Sequence, residues 1–407
     1  MLHVFRRCLF GRRKQSILHF ERETLKHAYS IKTLFFVCLF TAVAVAAGTL
    51  LGVYFAIGGR EGAAVLAKVS AVRRVIDGGF VGRTDWTAVS DAAAEGMIEA
   101  LDDRWSYYMT AEEYASYRDR SSNTSSGIGV TVQKREETGA FEIMSVTEGS
   151  PAAQAGVQPG WLLLELAGES VTELDASALR ERIFAQEGDF EAVFDDGGTQ
   201  RRVTLHTDSF YSSPVTYRML SDGVGYIRIA NFESGAAEDS IVAIEALAEE
   251  GITSLIFDVR TDPGGQLTEL TDLLDYILPE GDIFVSVDKD GKERVTTSDA
   301  SCIDYPLAVL IDANTYSAAE FFAAALREYD RAVLIGQPST GKGRSQSTYE
   351  LADGSAVHIS TRRYLTPDRV DLSEQGGLTP DFSVELGEEG DTQLEFAEKY
   401  FLDRKSA

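Results

Sequence analysis

An uninterrupted apolar stretch near the amino terminus limits what this chain can fold into more than any other feature. Residues 31–57 carry one charge, Lys32, at the edge of the stretch. About 20 apolar residues suffice for a helix to cross a bilayer, whereas a secretory signal usually has a shorter apolar part and a small-residue cleavage site. The stretch and the polar segment before it therefore favour a transmembrane anchor, with a cleaved signal as the alternative.

Charge predicts the orientation of this anchor. Eight Lys and Arg residues and two acidic residues lie in residues 1–32. The positive-inside rule places residues 1–30 in the cytoplasm and the rest of the chain on the other side of the cell membrane. Since the whole chain has a formal net charge of −26, the extracytoplasmic part has about −32. This acidity disfavours nucleic acid as a partner and otherwise indicates a well-solvated surface.

Cysteine usage excludes two kinds of site. Of Cys8, Cys38 and Cys302, only Cys302 would lie outside the membrane. Neither an intrachain disulfide nor a cysteine zinc site can form there. We expect no metal and no cofactor.

The chain after the apolar stretch divides into predicted domains. Residues 60–120 have a helical pattern that predicts short packing helices. One apolar face holds Ala92, Met97, Ile98 and Leu101. The polar run SSNTSSG, residues 121–127, predicts a flexible boundary. Residues 127–207 then combine short strands with one helix, which predicts a separate compact module.

Strands and helices alternate beyond residue 208. Apolar strands such as SLIFDVR and PLAVLID are each followed by a helical segment. This order predicts an α/β core over residues 208–390 with mainly parallel strands, and functional sites form at the ends of such strands. Residues 391–407, with the segment TQLEFAEKYFLDR, predict a closing helix.

A serine follows one of these strands at a strand-to-helix turn. In LAVLIDANTYSAAEFF the strand stops at Asp312 and Ser317 opens the next helix. A serine there would project beside helix amides that could bind an oxyanion. Because Glu320 lies three residues later, Ser317 also fits a capping box, and a purely structural role stays open.

A lysine between two glycines follows the strand AVLIG. The glycines beside Lys342 allow close approach and a sharp bend of the backbone. Gly336 to Lys342 fits the first seven positions of the phosphate-binding loop G-x-x-x-x-G-K-[ST], but Gly343 replaces the hydroxyl residue that would hold the metal. Lys342 is therefore a candidate base, and an exposed loop lysine is the alternative.

Two consecutive glycines follow another strand in FDVRTDPGGQL. The amides of Gly264 and Gly265 are free of side-chain obstruction and suit an oxyanion hole, although a plain turn has the same composition.

Histidine is the base in the commonest serine hydrolases, and the chain has five. Three of them, His3, His19 and His27, precede the apolar stretch. His206 closes the predicted module, and His358 lies in a predicted strand, AVHIS, where we expect a cross-strand or core role. Few histidines remain to compete with Lys342.

Together these segments resemble the carboxy-terminal processing peptidases, also called tail-specific proteases, over about residues 85–385. LDDRWSYYM, residues 101–109, looks like the family's Leu-Asp-Asp-x-x-Ser-x-Tyr element, and residues 127–207, with GIGV and SPAAQAGVQPGW, are similar to its PDZ module. Residues 260–265 match its R-x-x-P-G-G element.

The nucleophile segment carries the most specific part of the resemblance. Ser317, Lys342 and Gln346 have the family's Ser, Lys and Gln spacing. The loop TPDRVDLSEQGG and Tyr316, which precedes the serine, depart from the family's pattern.

The resemblance implies an α/β, ClpP/crotonase-like peptidase core with an inserted PDZ domain. It implies Ser317 as the nucleophile, Lys342 as its base and Gln346 as the partner that orients the lysine amine. The oxyanion would be held by the amide of Ala318 and that of Gly264 or Gly265. A substrate's terminal carboxylate would bind to the amides of Gly127, Ile128, Gly129 and Val130.

The expected partners are protein or peptide substrates with exposed carboxy-terminal tails, and the helical end segments suggest a homodimer. Two other functions remain open, a catalytically inactive PDZ scaffold and another activity of the same core fold. The intact set of Ser317, Lys342 and Gln346 favours the protease.

Overall fold

The computed structural model describes residues 31–387 and 390–405. The predicted cytoplasmic segment, residues 1–30, lies outside the described residues. The chain divides into two compact units, which meet in the sequence at Trp86 and Thr87.

The described part of the first unit, from residue 31 onward, is largely helical. Helix α1 (Ile31–Ala56) is followed by α2 (Gly59–Gly79), and α3 (Trp86–Glu99) begins at the last residue of this unit. By length and composition α1 could cross a membrane, and its bounds agree with the predicted span within one residue.

The second unit contains the strands. Its first elements are β1 (Tyr107–Met109), α4 (Ala111–Ser121), β2 (Thr124–Gly127), β3 (Val130–Lys134), β4 (Phe141–Val146), α5 (Pro151–Gln154), β5 (Leu162–Leu166), β6 (Glu169–Ser170), α6 (Ala176–Phe184), β7 (Phe190–Asp195), β8 (Gln200–Leu205) and β9 (Asp208–Tyr211). The next are β10 (Val215–Met219), β11 (Val224–Ile229), α7 (Ala236–Glu249), β12 (Ser254–Asp258), α8 (Leu267–Ile277), β13 (Gly281–Asp288) and β14 (Glu293–Ser298). The last are β15 (Leu307–Ile311), α9 (Ala318–Glu328), β16 (Ala332–Gly336), β17 (Arg344–Glu350), β18 (Ala356–Leu365), α10 (Leu372–Gln375), β19 (Phe382–Ser383) and α11 (Thr392–Lys405).

One prediction about the helical region is wrong. Met97 and Leu101 are each 58% exposed and α3 has no buried residue, although Ile98 is half-buried, so most of the predicted apolar face is not a packing face. An apolar period shows that a helix is amphipathic but does not supply a surface to pack against. The region also contains strand β1, where the hydroxyl of Tyr108 donates to Asp91 of α3 at 2.8 Å.

The central sheet confirms the predicted α/β core with mainly parallel strands. Its order is β10-β11-β12-β15-β16-β19, and all neighbours are parallel except β10 and β11. Strands β12 and β15 are buried at every position. Parallel strands covered on both faces have continuous apolar sequences, which is why these segments are recognisable from composition.

A second sheet is antiparallel, and its strand β17 begins two residues after the candidate lysine. Its order is β1-β18-β13-β14, with β17 also paired to β18. Strand β18 therefore contacts three others, and Tyr107 of β1 lies opposite His358. The β17–β18 pairing shifts by one position between Ser345 and Gln346.

A third sheet has its own hydrophobic core. Its order is β3-β4-β5-β7-β8, with β6 paired to β5. Its core residues include Phe141, Leu163 and Phe194, all of them fully buried. The run 121–127, predicted to be flexible, is largely strand β2, because Ser125 and Ser126 pair with β9.

Candidate active site

The loops that follow two adjacent parallel strands are tied together. Strands β12 and β15 are neighbours, so their carboxyl ends meet at one edge of the sheet. The hydroxyl of Thr315 donates to the carbonyl of Val259 at 2.8 Å, and the amide of Tyr316 donates to the carbonyl of Asp262 at 3.1 Å. These bonds hold the Pro-Gly-Gly loop beside Ser317.

Ser317 has an unusual backbone conformation. It precedes α9 with φ 59° and ψ −127°, and it is 8% exposed. A residue with a side chain in such a region costs about 1–3 kcal/mol, and strain of this kind clusters at functional sites. The conformation favours a role for Ser317 beyond capping a helix.

Gly264 lies against Ser317 so closely that no side chain fits. It has φ 84°, and an added Cβ would lie 2.8 Å from the Cβ of Ser317 and 2.7 Å from the nitrogen of Ala318. Its own amide donates to Oδ1 of Asp262 at 2.7 Å. Of the two predicted glycine donors, Gly264 therefore already donates its amide. Gly265 forms a bridge with Phe232, but the hydrogen bonds of that bridge use the carbonyl of Gly264 and the amide of Gln266.

The fully buried carboxylate of Glu320 joins the two candidate catalytic segments. Its Oε2 accepts hydrogen bonds from the amides of Ser317 at 2.9 Å and Lys342 at 2.8 Å. Its Oε1 accepts from the amide of Gly341 at 2.6 Å and the hydroxyl of Ser339 at 2.5 Å. The sequence signals only a capping box here, because the donors beyond residue 336 belong to a distant loop.

Two aromatic rings lie beside the amine of Lys342. Its Nζ lies 4.7 Å from the ring centre of Trp105 and 5.7 Å from that of Tyr316. These two rings stack on each other with their centres 6.0 Å apart. They keep water from one side of the amine, and neither was among the predicted site residues.

The environment of Lys342 favours its neutral form. Burial lowers the pKa of Lys342 to about 8, although the carboxylates of Glu320 and Asp103 act in the opposite direction. Desolvation disfavours a charged ammonium. About a tenth of this amine is therefore neutral at pH 7, and this fraction can accept a proton as a general base must.

Among the described residues, the side chain of Gln346 forms hydrogen bonds with groups other than the lysine amine. Its Nε2 donates to the carbonyl of Arg344 at 3.2 Å and to the hydroxyl of Ser360 at 3.1 Å. Both partners lie on the β17–β18 pair, whose register shifts between Ser345 and Gln346.

His358 contacts residues of the neighbouring strands, as expected, and it also lines the candidate cleft. Its Nδ1 is 2.8 Å from the hydroxyl oxygen of Thr348, and its ring centre lies 4.7 Å from that of Tyr107. Burial, with a smaller effect of Lys342, lowers the pKa of His358 to about 4. Such an imidazole is a weaker base than the amine of Lys342.

Most of the predicted catalytic residues line one cleft. It has a volume of about 490 Å³, and its walls include Ser317, Lys342, Gln346, Gly264 and Gly265. A larger cavity of about 800 Å³ is lined in part by Ser254, at the start of β12, and has none of these residues in its walls. The arrangement of a strained serine, a partly neutral amine and loop amides is suited to acyl transfer.

The four predicted carboxylate-binding residues line a second cleft of about 440 Å³. Gly127, Ile128, Gly129 and Val130 form one wall, and Leu179, Arg180 and Phe184 of α6 form another. Gly129 has φ 78°, and an added Cβ would lie 2.1 Å from the Cβ of Ser150. This close approach explains the glycine at that position.

Comparison with known proteins identifies the family. The model for Peptidase family S41 matches residues 223–384. The carboxyl-terminal-processing protease of Synechocystis sp. is 32% identical over 302 residues, which are 72% of this chain and 70% of that protein. The chloroplastic carboxyl-terminal-processing peptidase 3 of Arabidopsis thaliana is 30% identical over 323 residues, which are 75% of this chain and 62% of that protein.

A solved structure supports the fold alone. It is that of a protein assigned to the S41 proteases from Bacteroides fragilis NCTC 9343, with a TM-score of 0.54 and 17% identity, and the match covers 80% of this chain and 92% of that chain. Together with the sequence matches, this likeness agrees with the mixed α/β fold described above. The chain therefore belongs to peptidase family S41, together with the carboxyl-terminal processing proteases, and is a serine-type endopeptidase.

Proposed function

We propose that this enzyme cleaves polypeptides with Ser317 as the nucleophile and Lys342 as the general base. The observation that carries the proposal is the carboxylate of Glu320, which bonds to the amides of both residues beside one cleft. A helix cap alone would not require the backbone strain of Ser317 or the lowered pKa of Lys342.

The proposed chemistry has two steps. The Oγ of Ser317 attacks the substrate carbonyl while its proton moves to the neutral Nζ of Lys342. The tetrahedral intermediate then expels the amine, which takes the proton from Lys342, and an acyl-enzyme remains. Lys342 next removes a proton from a water molecule, which attacks the acyl-enzyme. The second tetrahedral intermediate expels the Oγ of Ser317, which takes the proton back from Lys342, and the acid is released.

The oxyanion would be held by main-chain amides. Ala318 opens α9, so its amide is one of the donors that a helix leaves unpaired. Gly265 is the better second donor, because the amide of Gly264 is bonded to Asp262. Each such donor contributes about 3–4 kcal/mol of transition-state stabilisation.

Gln346 would take its predicted role only after its side chain turns. Rotation away from Ser360 would let its carbonyl oxygen accept from the amine of Lys342 and orient it without adding charge. A carboxylate at this position would raise the pKa of the lysine instead.

Residues 127–207 would be a PDZ domain that selects substrates by their carboxy-terminal tails. Strand β3 is the edge of its sheet, so a tail can add to it as a further strand. The second cleft lies beside this edge, and Arg180 in its wall can attract a terminal carboxylate.

The remaining assignments concern the context of the enzyme. Residues 208–390 would be a ClpP/crotonase-like core, and α1 would anchor the protein in the cell membrane with residues 1–30 in the cytoplasm. The catalytic part would then lie outside the cytoplasm, with the closing helix (residues 391–407) available for a homodimer.

The test uses the full chain in a neutral detergent and unstructured polypeptides with an apolar carboxy-terminal tail. We expect cleavage by the parent and at least a thousandfold loss in both Ser317→Ala and Lys342→Ala. Cleavage that survives Ser317→Ala would exclude this mechanism.

Tail selection is tested with the same polypeptide carrying a free or an amidated carboxyl terminus. We expect the parent to prefer the free acid and Arg180→Gln to lose most of that preference. Equal cleavage of both substrates by the parent would leave the proposed PDZ domain without a selecting role.

A further inference from the structure

A basic pocket lies on the β17–β18 pair, in a chain that is otherwise strongly acidic. It has a volume of about 330 Å³, and its walls contain four cationic side chains and one carboxylate, that of Asp288. The four are Lys289, Arg344, Arg362 and Arg363. The whole chain carries a formal charge of −26, so this cluster of cations stands out from the rest of the surface, although Lys289 is paired with Asp290 at 2.8 Å.

Two of these arginines face each other across the strands. Arg344 of β17 lies directly opposite Arg363 of β18 in the register. Like charges at such positions are destabilising, because their side chains are neighbours on one face of the sheet. The pair therefore favours an anion between the two guanidinium groups.

Carboxylates of the chain satisfy this pair only in part. Arg363 lies 3.8 Å from Asp371, whose Oδ1 also accepts from the amide of Ser373 at 3.0 Å. Within residues 31–387 and 390–405, no carboxylate oxygen lies within 4.0 Å of a guanidinium nitrogen of Arg344 or Arg362. The carboxylate of Asp288, in the pocket wall, already forms hydrogen bonds within its own turn. Its Oδ1 accepts from the amides of residues 290 and 292.

The basic pocket adjoins the candidate cleft. Ser360 lines the pocket, and its hydroxyl accepts from Nε2 of Gln346, which lines the cleft. Arg344 lies two residues after Lys342, so their Cα atoms are at most about 7 Å apart. A polypeptide in the cleft can therefore place a nearby side chain in the pocket.

We propose that the basic pocket binds an Asp or Glu side chain of the substrate, within about five residues of the scissile bond. This inference rests on the proposed function and adds to it a preference for acidic sequences. A substrate carboxylate would form charge-assisted hydrogen bonds with Arg344 and Arg363 and remove their mutual repulsion.

The experiment measures a ratio within one enzyme. A quenched fluorogenic peptide with an apolar tail and no charge near its cleavage site is the reference. Glu or Gln is then placed in turn at each of about five positions on either side of the scissile bond. The readout is kcat/KM for the Glu peptide divided by kcat/KM for the matching Gln peptide, with full-length protein in detergent at low and high salt.

We expect the parent to prefer Glu over Gln by about three- to tenfold at one or two positions, and less at high salt. In Arg344→Gln with Arg363→Gln the ratio should fall to about one, and in Arg344→Glu with Arg363→Glu a Lys peptide should become the preferred substrate. The matched control, Lys399→Gln with Arg404→Gln, removes equal charge from α11 and should keep the parent ratio.

A parent ratio of one at every position would overturn the inference, as would a ratio that survives in the double Gln variant. If the parent shows no Glu preference but binds vesicles of anionic lipid in a manner that the double Gln variant loses, the pocket serves a membrane surface instead. Failure of the proposed function is distinct, because the uncharged reference peptide would then be cleaved equally by Ser317→Ala.

Discussion

The main-chain amide of Lys342 donates a hydrogen bond of 2.8 Å to Oε2 of Glu320, the same oxygen that accepts from the amide of Ser317. One buried carboxylate oxygen thus sets the separation between the segments that carry the candidate nucleophile and the candidate base.

Glu320→Gln should reduce kcat by at least a hundredfold and destabilise the protein by about 3 kcal/mol. A carboxamide has one acceptor oxygen, and its NH₂ group would face donors that now bond to Oε1 or Oε2. Steady-state kinetics and thermal unfolding measure the two effects. Glu328→Gln on the same helix is the matched control, and an equal loss of activity in that variant would contradict the role of Glu320.

The lowered pKa of Lys342 has two consequences: activity should depend on pH, and replacing the lysine should abolish activity but stabilise the fold. Since the pKa of Lys342 is about 8 in the folded state and 10.5 for an ordinary lysine, kcat/KM should rise with pH to a plateau with a midpoint near 8. The unfolded chain binds more protons between these two values, so the contribution of Lys342 to stability rises with pH from 8 to 10.5.

Below pH 8 the folded protein therefore carries the full cost of a buried ammonium. Lys342→Met should be inactive but more stable than the parent by about 2 kcal/mol at pH 7, with the difference shrinking toward pH 10.5. Thermal unfolding at several pH values measures this. Lys399→Met, at an exposed position, should show no such gain, and a less stable Lys342→Met at pH 7 would contradict the prediction.

Trp105→Ala should raise the midpoint of the pH profile by about one unit. Removing the ring that lies 4.7 Å from Nζ admits water to the amine and returns its pKa toward the ordinary value. Trp105→Phe keeps an aromatic ring there and should stay close to the parent profile. An unchanged midpoint in the Ala variant would mean that other groups keep the amine dry.

Gly264→Ala should reduce kcat/KM by at least a hundredfold, because the new Cβ would force the loop away from Ser317 and Ala318. Gly251→Ala is a matched control for backbone strain. It has a similar φ of 85° and nothing within 4 Å of an added Cβ. Equal activity losses in the two variants would show that strain, rather than the contact with Ser317, matters.

The fold was predictable where burial dictates composition. Strand β16 coincides with the predicted AVLIG, because both faces of that strand are covered. Strands β13 and β14, which are connected by the charged run KDGK, were not predicted. A helical period of apolar residues does not show which surface, if any, the helix packs against. This is why the helical face with Met97 and Leu101 could be predicted although it is exposed.

The residues of the candidate site were predictable where they belong to motifs that are close together in the sequence. Ser317 and Lys342 lie on turns that follow strands of one sheet, so their approach follows from parallel pairing. The contribution of Trp105 depends on a segment more than 200 residues away from Ser317, and no local pattern contains that information. The hydrogen bond of Gln346 with Ser360, and the register shift beside it, are likewise seen only in the folded sheet.

The long strand β18 also has a consequence for when the enzyme becomes active. Ser106 accepts a hydrogen bond from the amide of Ser360, 254 residues later, and Tyr107 pairs with His358. Contacts of such high sequence separation form late, because the intervening chain must first be ordered. A growing polypeptide that has not yet supplied residues 356–365 lacks one wall of the cleft, so proteolytic competence is delayed until these residues have been synthesised and folded.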